Sequence, residues 1–166
     1  MNPRLWKNLP TFAIAIVAAL SILSFAAKNG AEANVERDGI VSVKSVYGFD
    51  ETIARLKVDI GKKGIKFFLA VDQSTLGADA GVKINPSTLL IFGNPPLGIQ
   101  FLSSNPNSGL DWPVRLLVRQ DSTGQVWAVY TDFTWIAHRH GIADRDPQFK
   151  MASEVIASIT SSVASK

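Results

Sequence analysis

The stretch from Leu9 to Ala27 limits everything that follows it. It reads LPTFAIAIVAALSILSFAA, 19 residues without a charge, and Arg4 and Lys7 stand just before it. Ala31-Glu32-Ala33 comes next, with small residues at the two positions a signal peptidase reads. A positive start, an apolar middle and a small-residue end make the three-part pattern of a secretory signal. The pattern predicts that residues 1–33 are removed and that the mature chain starts at Asn34. About 20 apolar residues span a bilayer, so an uncleaved N-terminal anchor is the alternative. Basic residues stay on the cytoplasmic side. In both readings the folded part is expected outside the cytoplasm, periplasmic or secreted, and it meets the membrane only if the segment is kept.

Residues 34–166 have the length of one domain and can bury a core without cross-links. The chain contains no cysteine, which excludes disulfides, thiolate metal sites, cysteine nucleophiles and a lipoprotein anchor. Three of the 17 basic residues and one of the 14 acidic residues fall in the first 33. The mature part is therefore nearly neutral and lacks the clustered basic face that nucleic acid requires. No nucleic-acid partner is expected.

The polar stretch at 34–39 reads as a linker, and residues 40–166 as the single domain. Ile40 to Tyr47 alternates with period two and predicts a strand. Asp50 predicts a helix start, and Ile53, Leu56 and Ile60 recur at helical spacing until Gly61 and Gly64. Ile65 to Asp72 predicts a second strand, Ser74 to Gly81 a loop or short helix, and Thr88 to Phe92 a central strand. Asn94 before Pro95 predicts a capped helix reaching about Ser104, and Asn105 to Gly109 a loop. Val114–Arg119 and Gln125–Tyr130 flank the turn Asp121-Ser122-Thr123-Gly124 and predict a β-hairpin. A short helix follows over 133–140. A last helix opens at Asp146-Pro147, with an apolar stripe of Phe149, Ala152, Ile156, Ile159 and Val163. The order β-α-β-β-α-β-β-α predicts an α+β fold, a single mainly antiparallel sheet with helices on one face and the hairpin closing it.

Candidate chemistry is sparse. His138 and His140, the only histidines, are two apart and fall on different helix faces, so no metal site is expected. No phosphate loop or G-x-S-x-G motif occurs, and no cofactor is expected. Polar residues at predicted element ends remain. Asp72 ends a strand and either caps the next turn or serves as an acid–base group. Asn94 either caps the following helix or faces a pocket. Asp111 stands before a strand beside Trp112, which reads as a core or dimer contact, with aromatic stacking on a ligand as the alternative. His140 sits at a helix C-terminus, where a cation suits the helix dipole. Asp72, Asn94, Asp111 and His140 are the candidate ligand-binding residues.

Several of these stretches resemble a known family. Thr88-Leu89-Leu90-Ile91-Phe92-Gly93-Asn94-Pro95 is similar to the strand and turn of the family called domain of unknown function 302. So are Gly109-Leu110-Asp111-Trp112-Pro113-Val114, where members usually have Leu at position 112, and Gln125 to Tyr130 followed by Ala137-His138-Arg139-His140-Gly141. Phe49-Asp50-Glu51-Thr52 and Arg55-Leu56 also fit. The likeness runs from about Val43 to Asp144. It implies a compact α+β domain, similar to TATA-box-binding-protein-like folds, that can form homodimers, and it implies no settled activity. Members often carry Asp-His where this chain has Asp72-Gln73, and glutamine cannot act as an acid or base.

The resulting expectation is an uncharacterised exported module that binds a small ligand or a protein partner without catalysis. The alternatives are a small enzyme using Asp72, with Asn94 or His140 polarising, and a purely structural accessory protein. A homodimer is expected on residues too. Phe67-Phe68-Leu69 and Leu89-Leu90-Ile91-Phe92 put large side chains on both faces of the sheet. The competing possibility is that the C-terminal helix covers the second face.

Overall fold

The computed structural model describes residues 34–35 and 38–164. The expected signal segment, residues 1–33, lies outside the described residues. The strands are β1 (Asn34–Val35), β2 (Ile40–Lys44), β3 (Lys66–Asp72), β4 (Ser87–Gly93), β5 (Val114–Gln120) and β6 (Val126–Thr131). The helices are α1 (Phe49–Lys62), α2 (Gln73–Asp79), α3 (Pro95–Ser104), α4 (Phe133–Arg139) and α5 (Asp146–Ala164), and a 3-10 turn spans Pro106–Leu110. The strands form one antiparallel sheet in the order β1-β2-β6-β5-β4-β3. This is the α+β fold expected from the order of elements. Two details differ. Within the stretch read as a linker, Asn34–Val35 adds a short edge strand to β2. The β5–β6 hairpin sits in the middle of the sheet rather than closing it, because β2 returns to pair with β6.

Alternation decides which face is buried. Val41 and Val43 on β2, Leu90 and Phe92 on β4, Leu116 and Val118 on β5, and Ala128 and Tyr130 on β6 all face the core. The stripe expected on α5 is buried at all five positions, and Leu56 and Ile60 of α1 meet it. Side chains of that size each stabilise the fold by about 1.5–3 kcal/mol when fully buried. Helix α5 packs on α1, α4, α3 and β2, on the same side of the sheet as α1. It does not cover the second face. There Val71, Leu89, Leu117 and Val129 run in register across four strands, with Leu69 and Ile91 in the adjacent row. Leu69 is exposed, and Leu89, Ile91 and Leu117 are half-buried.

Helix ends depart from the expected caps in ways the hydrogen bonds explain. α1 starts at Phe49 after Gly48, not at Asp50. Thr52 donates both its N–H and its hydroxyl to the Gly48 carbonyl, so the chain turns one residue before the acidic pair. Asp146 is the first residue of α5 rather than its cap, because the amides of Gln148 and Phe149 both donate to the Arg145 carbonyl. Among the described residues no helix is long and apolar enough to cross a membrane.

Candidate functional site

The four candidate residues fall at two ends of the sheet. Strands β3 and β4 are antiparallel and pair Asp72 with Thr88 and Lys66 with Gly93. Asp72 therefore lies beside the start of β4, while Asn94 follows its end. Seven strand residues at about 3.4 Å each separate them by roughly 20 Å. Asp72, Asn94 and His140 thus do not converge on one cleft. Asp72 caps α2, its carboxylate accepting from the Thr75 amide at 3.0 Å and the Thr75 hydroxyl at 2.8 Å. Those bonds hold its carboxyl below the usual range, which makes it a weaker base. Gln73, next to it, accepts from the Ser87 hydroxyl at 2.7 Å.

Asp111 and His140 do come together. Asp111 ends the 3-10 turn, and His140 ends α4. Both side chains are buried, and His140 Nε2 lies 2.7 Å from Asp111 Oδ2. An ionised carboxylate only accepts, so the imidazole N–H donates. Arg115, one turn of chain onward at the start of β5, donates to Asp111 Oδ1 at 2.7 Å. Arg139 of α4 reaches Asp111 Oδ2 at 3.1 Å. Asn105 locks the two loops by donating its Nδ2 to the His140 carbonyl at 2.7 Å. Gly141 continues at φ 59°, a left-handed conformation that suits glycine and turns the chain away from α4. His138 is exposed on another side of the helix, and no group of three metal-ligating side chains occurs among the described residues.

The charge at this end is unbalanced. One buried carboxylate faces two guanidinium groups whose side chains are 49% and 44% exposed. Each arginine spends part of its donor set inward and presents the rest to solvent. The Arg139 guanidinium carbon also stands 5.5 Å from the centre of the Trp135 ring. Such an arrangement can hold carboxylate or phosphate oxygens, for which the arginine fork is shaped. It offers no nucleophile: the nearby Ser108 hydroxyl is buried and bonds to none of the described residues. Arg115 and Arg139 were missed from sequence. Their signals were the four-residue step from Asp111 and the position next to His140, both too common to single out.

Asn94 stands at the N-cap of α3, yet its side chain makes no capping bond. A cap normally accepts from the second or third amide of the helix. Pro95 and Pro96 occupy the first two helical positions and have no N–H, and the Leu97 and Gly98 amides donate to the Asn94 carbonyl instead. Asn94 lines an apolar cavity with Trp112, Leu97, Phe101, Phe133 and Ile156. The Trp112-Pro113 peptide bond is cis.

Comparison with known proteins places these features in context. The profile of the family described as "Domain of unknown function DUF302" matches residues 41–165. A stretch of 110 residues, 66% of this chain, is 34% identical to the proteins named Fluoride-specific ion channel FluC 1 of Brucella suis biovar 1 and of Brucella abortus biovar 1. It covers 43% and 41% of those proteins, so the chain spans less than half the length of the curated relatives it matches. The crystal structure of an uncharacterized conserved protein DUF302 from Bacillus stearothermophilus superposes with a TM-score of 0.69. The match covers 75% of this chain and 98% of that one at 18% identity, a likeness of fold.

Proposed function

The chain belongs to the family described as Domain of unknown function DUF302, and from that premise we propose that it is a non-catalytic module that binds anionic groups. The observation that carries this reading is the pair of half-exposed guanidinium groups, Arg115 and Arg139, held by one buried carboxylate. Asp111 and His140 position the arginines, and the ligand meets their outward N–H groups. The Brucella relatives lend a second support, since their name is that of channels for a small anion. Carriage outside the cytoplasm belongs to the same proposal. It rests on Arg4, Lys7, the uncharged Leu9–Ala27 and the Ala31 and Ala33 pair.

We also propose that the open face of the sheet pairs two copies of the chain. The row of Val71, Leu89 and Leu117 and the exposed Leu69 beside it support this. An enzyme built on Asp72 gains no support, because that carboxylate is committed to the cap of α2.

A thermal-shift panel with phosphate, sulfate, fluoride, acetate and succinate tests the binding reading. An anion present at 100 times its Kd stabilises the fold by about 2.7 kcal/mol, roughly 8 °C for a domain of this size. Arg115→Gln and Arg139→Gln should each weaken that response. A panel with no shift for any anion contradicts the proposal.

A further inference from the structure

The open face of the sheet is charged as well as apolar, and its charge has one sign. Side chains alternate between the two faces along a strand. Leu116 and Val118 of β5 are fully buried in the core, so Arg115, Leu117 and Arg119 point to the open face. Val43 of β2 faces the core and places Lys44 on the open face in the same way. Asp72 is the only acidic residue in the six strands. It pairs with the buried Thr88 and caps α2. The open face therefore has cations and no carboxylate of its own. Asp111 and Asp121 stand at the two ends of β5, and both are committed. Asp111 is buried among Arg115, Arg139 and His140, and Asp121 accepts from Thr123 and Trp127. Arg115 is thus answered by Asp111. Arg119 is half-buried, and its guanidinium makes no hydrogen bond or ion pair with the described residues.

Two copies can pair through this face about either of two axes in its plane. An axis along β5 lays β4 on β6 and β3 on β2. Val71 then meets Ser42, the polar residue at the β2 end of the same row. An axis along the row lays each strand, reversed, on its own counterpart. Val71, Leu89 and Leu117 then meet Val71, Leu89 and Leu117, and of the two arrangements this one keeps apolar side chains on apolar ones. It also fixes where the charges go. Arg115 and Arg119 lie two residues to either side of Leu117, about 7 Å away along the strand. Arg115 of one copy therefore comes opposite the partner's Arg119. Facing sheets stand about 10 Å apart, and like charges brought that close repel. Neither copy offers a carboxylate to place between them. An anion held by Arg115 and Arg139 does.

We propose that the anion site is shared between two copies. Arg115 and Arg139 of one copy hold the ligand, and the partner's Arg119 closes over it, so each dimer carries two such sites. The inference rests on the anion reading and on the paired sheet. It narrows the ligand to a tetrahedral oxyanion such as phosphate or sulfate, because guanidinium groups from both copies each need oxygens to donate to. By linkage, the anion tightens the pair by the factor by which pairing tightens the anion.

Analytical ultracentrifugation of the purified protein gives the dimer dissociation constant in phosphate and in chloride at equal ionic strength. The constant should be at least tenfold lower in phosphate. Arg115→Gln and Arg119→Gln should each lose that difference, with circular dichroism checking that both fold. Mixed in equal amounts, the two variants should regain it. A mixed dimer rebuilds one complete site from the Arg115 of one chain and the Arg119 of the other. A mixture that behaves as its parents overturns the shared site, and so does an Arg119→Gln protein that tightens in phosphate as wild type does. A wild-type protein that stays monomeric in both buffers overturns it too, and leaves the face to an acidic partner. Thermal unfolding in phosphate separates this inference from the reading beneath it. A rise in Tm that Arg115→Gln removes, with a dimer constant indifferent to phosphate, strikes the shared site and leaves the arginine pair. No rise in Tm strikes both.

Discussion

Replacing Asp111 by alanine isolates the group on which the charged cluster depends. Its side chain is 3% exposed and accepts from Arg115, Arg139 and His140. The two arginines are about half exposed, so each rehydrates once freed and contributes as surface pairs do, about 0.5 kcal/mol. His140 is different, since its side chain is only 5% exposed. Its Nε2–H would lose its acceptor inside the protein, at about 1–3 kcal/mol. Removing a buried carboxylate also relieves the cost of its desolvation, which offsets part of the sum. The net expectation for Asp111→Ala is a loss of about 2 kcal/mol, or roughly 6 °C in Tm. Arg115→Gln and Arg139→Gln should each cost less than about 1 kcal/mol. Urea unfolding followed by circular dichroism gives these values, with an unchanged m-value as the check that the folded and unfolded states are comparable. An Asp111→Ala protein within about 0.5 kcal/mol of wild type would show that the buried carboxylate does not hold the cluster together. So would an Arg115→Gln protein as unstable as Asp111→Ala, because it would move the energetic centre from the buried pair to the surface.

Other consequences follow from single contacts. Gly98→Ala gains about 1 kcal/mol of helix propensity but places a Cβ 2.0 Å from the Trp112 ring. Overpacking should win, with a net loss of about 1–2 kcal/mol and a change in tryptophan emission; an unchanged spectrum with higher stability would show that the ring does not rest there. Asp121 accepts from the Thr123 hydroxyl, the Trp127 indole and the Thr123 and Gln125 amides, which hold its carboxyl well below the usual range. A lowered folded-state value means that its stabilisation is present above about pH 4 and fades as pH falls through the folded value. The Tm gap between wild type and Asp121→Asn should therefore close between pH 5 and the most acid pH at which the protein still folds, and a gap constant with pH would contradict this. Light scattering at micromolar concentration should give twice the chain mass, and Leu117→Arg should halve it; a wild-type monomer would remove the paired-sheet proposal. Mass spectrometry of the exported protein should find Asn34 at its N-terminus, and a chain retaining Met1 to Ala33 would favour the anchor.

What could be read from sequence follows from which features are local. Periodicity is local, and so Leu56 and Ile60 on α1 and the five apolar residues of α5 all point inward as their spacing requires. The Asp121 turn and the cap at Asp72 were legible for the same reason, since each is closed by residues within six positions. Pairing across the sheet is not local. Nothing in β2 alone announces that it returns to β6, and that choice puts the hairpin in the centre. The site suffered most from this. Asp111 and His140 are 29 positions apart, and only the docking of α4 beside the 3-10 turn brings them to 2.7 Å. Asp72 and Asn94 are nearer in sequence but are sent to opposite ends of β4 by antiparallel pairing. Asn94 shows a subtler limit. Its type and position are those of a cap, yet Pro96 has no N–H at the second helical position and the Leu97 amide at the third donates to the Asn94 carbonyl instead.

A calorimetric titration probes the proposed binding of an anion by Arg115 and Arg139 without an intermediate readout. The strongest ligand of the anion panel would be titrated at low salt into the wild-type protein and into the Arg115→Gln, Arg139→Gln double variant. Expected are a saturable one-site isotherm for wild type that weakens as salt is raised, and at least a tenfold loss of affinity in the double variant with its fold intact. Equal affinity in the two proteins, or no heat in either, would contradict it.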